Sequence, residues 1–342
     1  MKNKNMKIRI GLLGLLSAIL PGCHNSDWDF PDYKYQTVYF ATQFPVRTIT
    51  LGEDIVDTSL DNEGKFRIMA TTGGVYKANN DVVIDVVVDN TLCDGFAFGG
   101  LNTDIIAMPA NFYTLASDKI TIPQGAIVGG VEVQLTDAFF NDPLAITNTY
   151  VIPLRMTNVV NADSILSGKA LAPEPRRAVS SDWAVVPKDY VFYAVKYINP
   201  WHGYYLRRGI DEVSGIADTT IVRHQPYVEK DEVTLLTTRS SAEIEMPLVF
   251  KDANNFNVTC ALLLSFDEDG NCSISSATAG VTASGTGKFV SKGEAKSWGD
   301  KDRDAIYLKY VVDFPDMQVS SSDTLVLRNR GVAMEVFNPI LK

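Results

Sequence analysis

The chain has 342 residues, which at roughly 100–200 residues per domain suggests about two domains. Hydrophobic residues make up 46% and charged residues 21%, a globular composition that excludes wholesale disorder. A net charge of −10 argues against nucleic acid as a partner, four cysteines are too few for a disulfide scaffold, and three histidines leave little for a histidine-rich metal site or a His-based relay.

In chain order, Lys2, Lys4, Lys7 and Arg9 precede an apolar run from Ile10 to Leu20. That run is too short for a spanning helix, which needs about 20 apolar residues. A basic start with a short apolar core predicts a secretory signal peptide over residues 1–22. The run ends Leu20-Pro21-Gly22-Cys23, which resembles the bacterial lipobox; Pro21 departs from it. The resemblance implies cleavage before Cys23 and lipid on that residue, hence a membrane contact through the N-terminal lipid and an outer-membrane location. Asp27 and Asp29 resemble the surface-export signal of Bacteroidetes lipoproteins, within a tether over 23–35.

Beyond the tether the dominant period is two. Val131, Val133 and Leu135 alternate with Glu132, Gln134 and Thr136; Tyr150, Ile152, Leu154 and Met156 alternate with Val151, Pro153 and Arg155, and Ile244 to Phe250 and Ile306 to Val312 keep the same period of two. Alternation turns one side-chain set to a buried face and the other to water, so these runs predict strands. Val82 to Val88, rich in β-branched residues, predicts a strand buried on much of both faces. Turn clusters at Thr72-Gly73-Gly74, Asp267 to Asn271 and Gly299 to Asp302 punctuate them, and no stretch keeps a helical period. The expected fold is all-β. An Ig-like β-sandwich is expected over 36–160, and the proline-containing stretch 161–184 (Ala172-Pro173-Glu174-Pro175) is expected to be a linker. A second β domain follows over 185–342. It opens on Trp201-His202-Gly203-Tyr204-Tyr205, an aromatic-Gly-x-Tyr pattern like that of lipocalin-like barrels, although a second sandwich fits the same strand pattern.

Apart from Cys23, the cysteines are Cys93, Cys260 and Cys272, an odd count that leaves at least one unpaired within the chain. Cys260 and Cys272 suit either a disulfide across a hairpin or two packed thiols.

Several segments together resemble a two-domain surface lipoprotein family of the Bacteroidetes. They are Val38-Tyr39-Phe40, Met108 to Leu115, Ile120 to Gly125, Tyr150 to Leu154, and Pro187-Lys188-Asp189-Tyr190 leading to Asn199 to Tyr205. The resemblance implies an adhesin-like N-terminal sandwich, a distinct C-terminal β domain, and association with polysaccharide-utilisation systems. It brings no catalytic residues and no cofactor.

The residues themselves point away from catalysis. There is no Gly-x-Ser-x-Gly elbow, and His24, His202 and His224 are the only histidines. Ser284-Gly285-Thr286-Gly287-Lys288 is too short for a phosphate loop, and Asp267 to Asn271 reads as a turn rather than a calcium loop. The chain is therefore expected not to be an enzyme and to bind neither metal nor cofactor. Glycan binding has a mechanism here, because exposed aromatic rings pack on the C–H faces of sugars while polar groups read the hydroxyls. The candidates are Trp183, Trp201, Tyr204, Tyr205, Tyr227 and Trp298, with Trp298 set beside a Gly-Asp-Lys-Asp turn. The alternative is a structural or adhesive role toward outer-membrane protein partners. That role predicts an exposed apolar patch or an open strand edge and no aromatic cleft.

Overall fold

The computed structural model describes residues 32–100, 103–215, 218–252 and 254–342; the leader, Cys23, Asp27 and Asp29 lie outside them. Strands take up 54% of the described residues and helix 7%, so no described helical layer covers a sheet and the sheets cover each other. The described α-helices are single turns, Ser59–Asn62 and Asp137–Phe140, and the other helical pieces are short 3-10 turns. No described helix is long and apolar enough to cross a membrane.

Two curled sheets form the N-terminal part. The first orders Ser164–Ile165, Thr37–Tyr39, Lys65–Gly73, Val128–Leu135 and Tyr113–Leu115. The second orders Glu335–Val336, Pro45–Thr50, Tyr190–Ile198, Tyr150–Val160, Val82–Val88 and Lys119–Ile122. Val38, Phe66, Ile68, Val131 and Val133 of the first meet Ile84, Ile120, Ile152, Leu154 and Val195 of the second in one core. The alternation read from the sequence supplies these inward sets. Val82–Val88 is the exception to its own reading: Val82, Ile84 and Val86 are buried, but Val87 is 40% exposed, so the strand is covered on one face.

The strand buried on both faces over nearly its whole length is Tyr190–Ile198, and the first half of Tyr150–Val160 beside it is buried on both faces too. Val191, Val195 and Tyr197 face the sandwich core, while Tyr190, Phe192 and Ala194 face a second apolar layer with Phe96, Phe98 and Ile105. This corrects the expected boundary at 185, because the strand belongs to the N-terminal sheet, between Pro45–Thr50 and Tyr150–Val160. The expected linker is also folded onto the first domain. Thr37 and Val38 pair with Ser164 and Ile165, Lys169–Ala170 forms a hairpin with Trp183–Val185, and Arg177 clasps buried Asp189 through Nε and Nη2, each at 3.1 Å. The C-terminus returns as well. Glu335–Val336 extends the second sheet, and Pro339–Leu341 pairs with Phe96–Phe98.

The C-terminal domain is a closed eight-stranded antiparallel barrel, which decides between the two architectures left open by the sequence. Its strands are Gly203–Gly215, Glu232–Thr238, Glu243–Lys251, Asn257–Phe266, Asn271–Ser276, Thr282–Glu294, Arg303–Asp313 and Met317–Asn329. Each pairs with the next, and the last closes onto the first from Tyr204–Asn329 to Gly215–Met317. Gly203 has no substitute at this closure: its φ is +151°, and a Cβ would lie 2.7 Å from the Asn329 carbonyl oxygen. Thr219–Arg223 pairs with the far half of the first strand, so it and Glu232–Thr238 are two pieces of one wall strand with the 224–231 loop between them. The interior is filled by Ile244, Met246, Leu248, Leu262, Leu264, Ile306, Leu308 and Leu325. Cys260 and Cys272 are in that interior as free thiols, opposite Leu248 and Phe266 respectively rather than each other, and burial pushes them up to about 11 and about 12. The Ser284 to Lys288 segment lies within a barrel strand, and Asp267 closes a turn by accepting the Asn271 N–H at 2.8 Å.

Candidate functional site

The two domains are joined around Arg330, 2% exposed, just past the last barrel strand. Its Nε donates to the His202 carbonyl at 2.7 Å, Nη1 to Glu53 at 3.0 Å, and Nη2 to Leu51 at 3.0 Å and Asn199 at 2.6 Å. One guanidinium thus ties carbonyls of a sandwich loop to carbonyls at the barrel entrance. A charge buried this deeply is tolerable because its donors are satisfied.

Beside this tie lies a groove of about 790 Å³. One wall is Pro45–Thr50 with Ile68 and Met69, one is the Asp54–Asp57 loop, and one is the return segment from Asn329 to Val336. Much of that surface is apolar and open to solvent: Ile55 is 90% exposed and Met334 97%. Its polar groups are mostly committed. Arg47 pairs with Asp61, whose other oxygen accepts the Thr50 N–H at 2.9 Å, and burial raises the Asp61 carboxyl despite these contacts. Glu335 accepts from Lys196 at 2.9 Å. Asp57 is held low by the Ser59 hydroxyl and N–H. A smaller cleft of about 140 Å³ adjoins it, shares Asp54, Ile55, Asn329 and Arg330, and adds Lys292, Asp302, Arg303, Asp304 and Arg328.

The six aromatic candidates do not form one site. Tyr205 is wholly buried, its hydroxyl donating to the Trp201 carbonyl at 2.9 Å, so it has no face for a sugar. Trp201 stacks on Phe266 at 4.2 Å between centroids and caps the barrel interior; its indole Nε1–H is buried with no partner among the described residues. Trp183 is in the 169–185 hairpin, donating to the Arg176 carbonyl at 2.9 Å, and Tyr227 is 61% exposed on the 224–231 loop beneath Lys230. Both stand apart from the junction.

Tyr204 and Trp298 flank it. Tyr204, 38% exposed, lies against Gly331 of the groove wall, where a Cβ would fall 3.0 Å from the ring. Trp298 donates to the Leu327 carbonyl at 3.2 Å and carries the Arg303 guanidinium 3.9 Å from its ring centroid; Leu327 and Arg303 both line the smaller cleft. Sequence reading missed the Asp54–Asp57 loop and the return segment. Their available signal was unpaired apolar residues, Ile55-Val56 and Met334, in stretches with no strand alternation.

Inside the barrel is a charge network that the sequence reading also missed. Arg207 donates to Asp323 at 2.9 Å and to the Tyr310 hydroxyl at 3.0 Å, and Tyr310 donates to Asp323 at 2.7 Å. Arg223 grips Asp211 through two bonds of 2.7 Å and reaches Asp323 at 2.5 Å; Ser321 donates to Asp211 at 2.6 Å. Burial raises the Asp211 carboxyl, but the Arg223 and Ser321 bonds outweigh it and hold the group below its ordinary value. Two arginines and two aspartates compensate each other, which makes the network a structural plug. Among the described residues no group of three His, Cys, Asp or Glu is placed to hold a metal ion.

Comparison with known proteins finds no match among curated ones. A family model of an N-terminal domain matches residues 33–163, and that of a domain of unknown function (DUF5627) matches residues 200–331, the barrel and its entrance. A crystal structure of a Bacteroides ovatus protein of unknown function is 48% identical, with a TM-score of 0.87 over 90% of this chain and 99% of that one. An auxiliary nutrient binding protein of Bacteroides thetaiotaomicron is 13% identical (TM-score 0.36; 85% and 95% covered). A candidate carbohydrate binding protein of Bacteroides ovatus is 12% identical (TM-score 0.27; 89% and 99% covered). Similarity at those two scores carries no argument about the site. With the matched domains in the same order as the two folded units, and near-complete coverage at 48% identity, the chain belongs to the two-domain family of that Bacteroides ovatus protein of unknown function.

Proposed function

We propose that this protein is a non-catalytic, lipid-anchored protein of the outer membrane that binds glycan at the cell surface as part of a polysaccharide-utilisation system. Its ligand lies along the domain junction. The observation that supports this reading is the groove of about 790 Å³ with its polar annex. Apolar walls, carboxylates and guanidinium groups converge there, Tyr204 borders it, and domain junctions are a usual place for ligands. The anchor rests on Leu20 to Cys23. Affinity electrophoresis and isothermal titration against a polysaccharide panel test the reading. Tyr204→Ala is expected to weaken binding about tenfold, as loss of one packed aromatic does, while Tyr227→Ala leaves it unchanged. Flat titrations across the panel, or equal binding by both variants, would sink it.

A second reading, adhesion to an envelope protein partner, is favoured by the exposed side chains of Ile55, Val56, Met334 and Val336 around the same groove. It predicts that no polysaccharide of the panel binds and that Met334→Asp abolishes capture of an outer-membrane partner.

A further inference from the structure

Unpaired strand edges invite other strands, and most edges of this molecule are guarded against that. In the first sheet the edge strands have two and three residues, Ser164–Ile165 and Tyr113–Leu115. In the second, one edge is the two-residue Glu335–Val336; the other, Lys119–Ile122, carries Lys119 and runs into Pro123. In the barrel, the third strand is paired on one side only beyond Glu245, and Pro247 interrupts that free stretch.

Thr219–Arg223 has none of these devices. It pairs with Gly209 to Val213 on one side, and no described strand pairs with the other. Its five residues contain no proline and no lysine. Thr219 to Val222 are all exposed, Val222 at 63%, and Ile210 beside Val222 is 45% exposed. The one cation, Arg223, cannot guard the edge because its guanidinium is held by Asp211 and Asp323.

The edge is also complementary to itself. Antiparallel pairing about a two-fold axis through Ile221 sets Thr220 opposite Val222, Thr219 opposite Arg223, and Asp218 opposite His224. No like charges then face each other, whereas in-register parallel pairing sets Asp218 beside Asp218 and Arg223 beside Arg223. We propose that two copies of this chain join edge to edge through Thr219–Arg223, continuing one barrel wall into the next as an isologous dimer. The junction groove is built from other residues and stays open in each copy.

Sedimentation of the purified protein over about 1–100 µM tests this. A concentration-dependent dimer is expected. Ile221→Lys, which sets two ammonium groups face to face on the axis, is expected to weaken it at least about tenfold, and Val249→Lys on the proline-guarded edge to leave it unchanged. A second measurement does not depend on that variant's folding. Ile221→Cys places two thiols across the axis at a separation that suits a disulfide, while Cys93, Cys260 and Cys272 are buried. Oxidation is expected to trap Ile221→Cys as a covalent dimer well beyond any formed by the unaltered protein. A monomer at every concentration, a dimer indifferent to Ile221→Lys, or no excess crosslink overturns the proposal.

Discussion

His202 is the residue whose protonation the fold opposes most directly. Its Nδ1 accepts the Thr238 N–H at 3.1 Å, and burial first, then the nearby Arg330 charge, pushes its pKa down to about 4. The unfolded chain takes up the proton near pH 6.5 while the folded chain does not. Stability is therefore full above pH 6.5 and is lost as pH falls toward 4, by at most about 3 kcal/mol. His202→Gln is expected to flatten that part of the pH profile of thermal unfolding relative to the unaltered protein. Asp323 is the second informative residue. Asp323→Asn leaves Arg207 and Arg223 undercompensated in the barrel, and a loss of about 3–5 kcal/mol is expected in urea unfolding. These charges had a signal in the sequence. Arg207 and Asp211 fall in phase with Tyr205 and Val213, and Asp323 with Val319 and Leu325, so they sit where the alternation points inward. Parity alone could not tell which inward charges meet, because Asp323 lies 116 residues from Arg207 and 100 from Arg223.

At the scale of elements, the strands with clean alternation were readable because burial of one face sets a period of two. Val128–Leu135, Glu243–Lys251 and Arg303–Asp313 formed over the predicted runs with that pattern; Tyr150–Val160 also formed over its run, although its first five residues are buried on both faces. Tyr190–Ile198 was not placed, since a strand covered on both faces is apolar at nearly every position, here all but Lys196, and carries no phase. The return segment failed differently. Glu335–Val336 and Pro339–Leu341 are too short to show a period, and they are held by where they land. Phe337 seats between Phe44 and Phe98, with ring centroids at 5.7 and 4.7 Å. Phe337→Ala is expected to cost about 2 kcal/mol, toward the low end for a partly buried ring. Limited proteolysis after the barrel is expected to accelerate in that variant, because the strap then loses its anchor.

For the whole molecule, Arg330 ties the junction through carbonyls on both sides, His202 and Asn199 at the barrel entrance and Leu51 and Glu53 in the sandwich loop. Arg330→Met keeps much of the side-chain volume and leaves four carbonyls short of a donor. The expected result is a loss of about 2–4 kcal/mol in thermal unfolding, with the sandwich and barrel melting in separate transitions where they melt together in the parent. The sequence by itself determined the all-β class, the presence of two domains and two of the barrel's strands, Glu243–Lys251 and Arg303–Asp313, because those follow from local periodicity and turn chemistry. Tertiary structure alone decided that the barrel closes, that the chain's end straps back onto the first domain, and which aromatics border a groove. Closure, return and exposure are properties of contacts between residues a hundred or more positions apart, and a strand's pattern records only that it has a buried face, not what buries it.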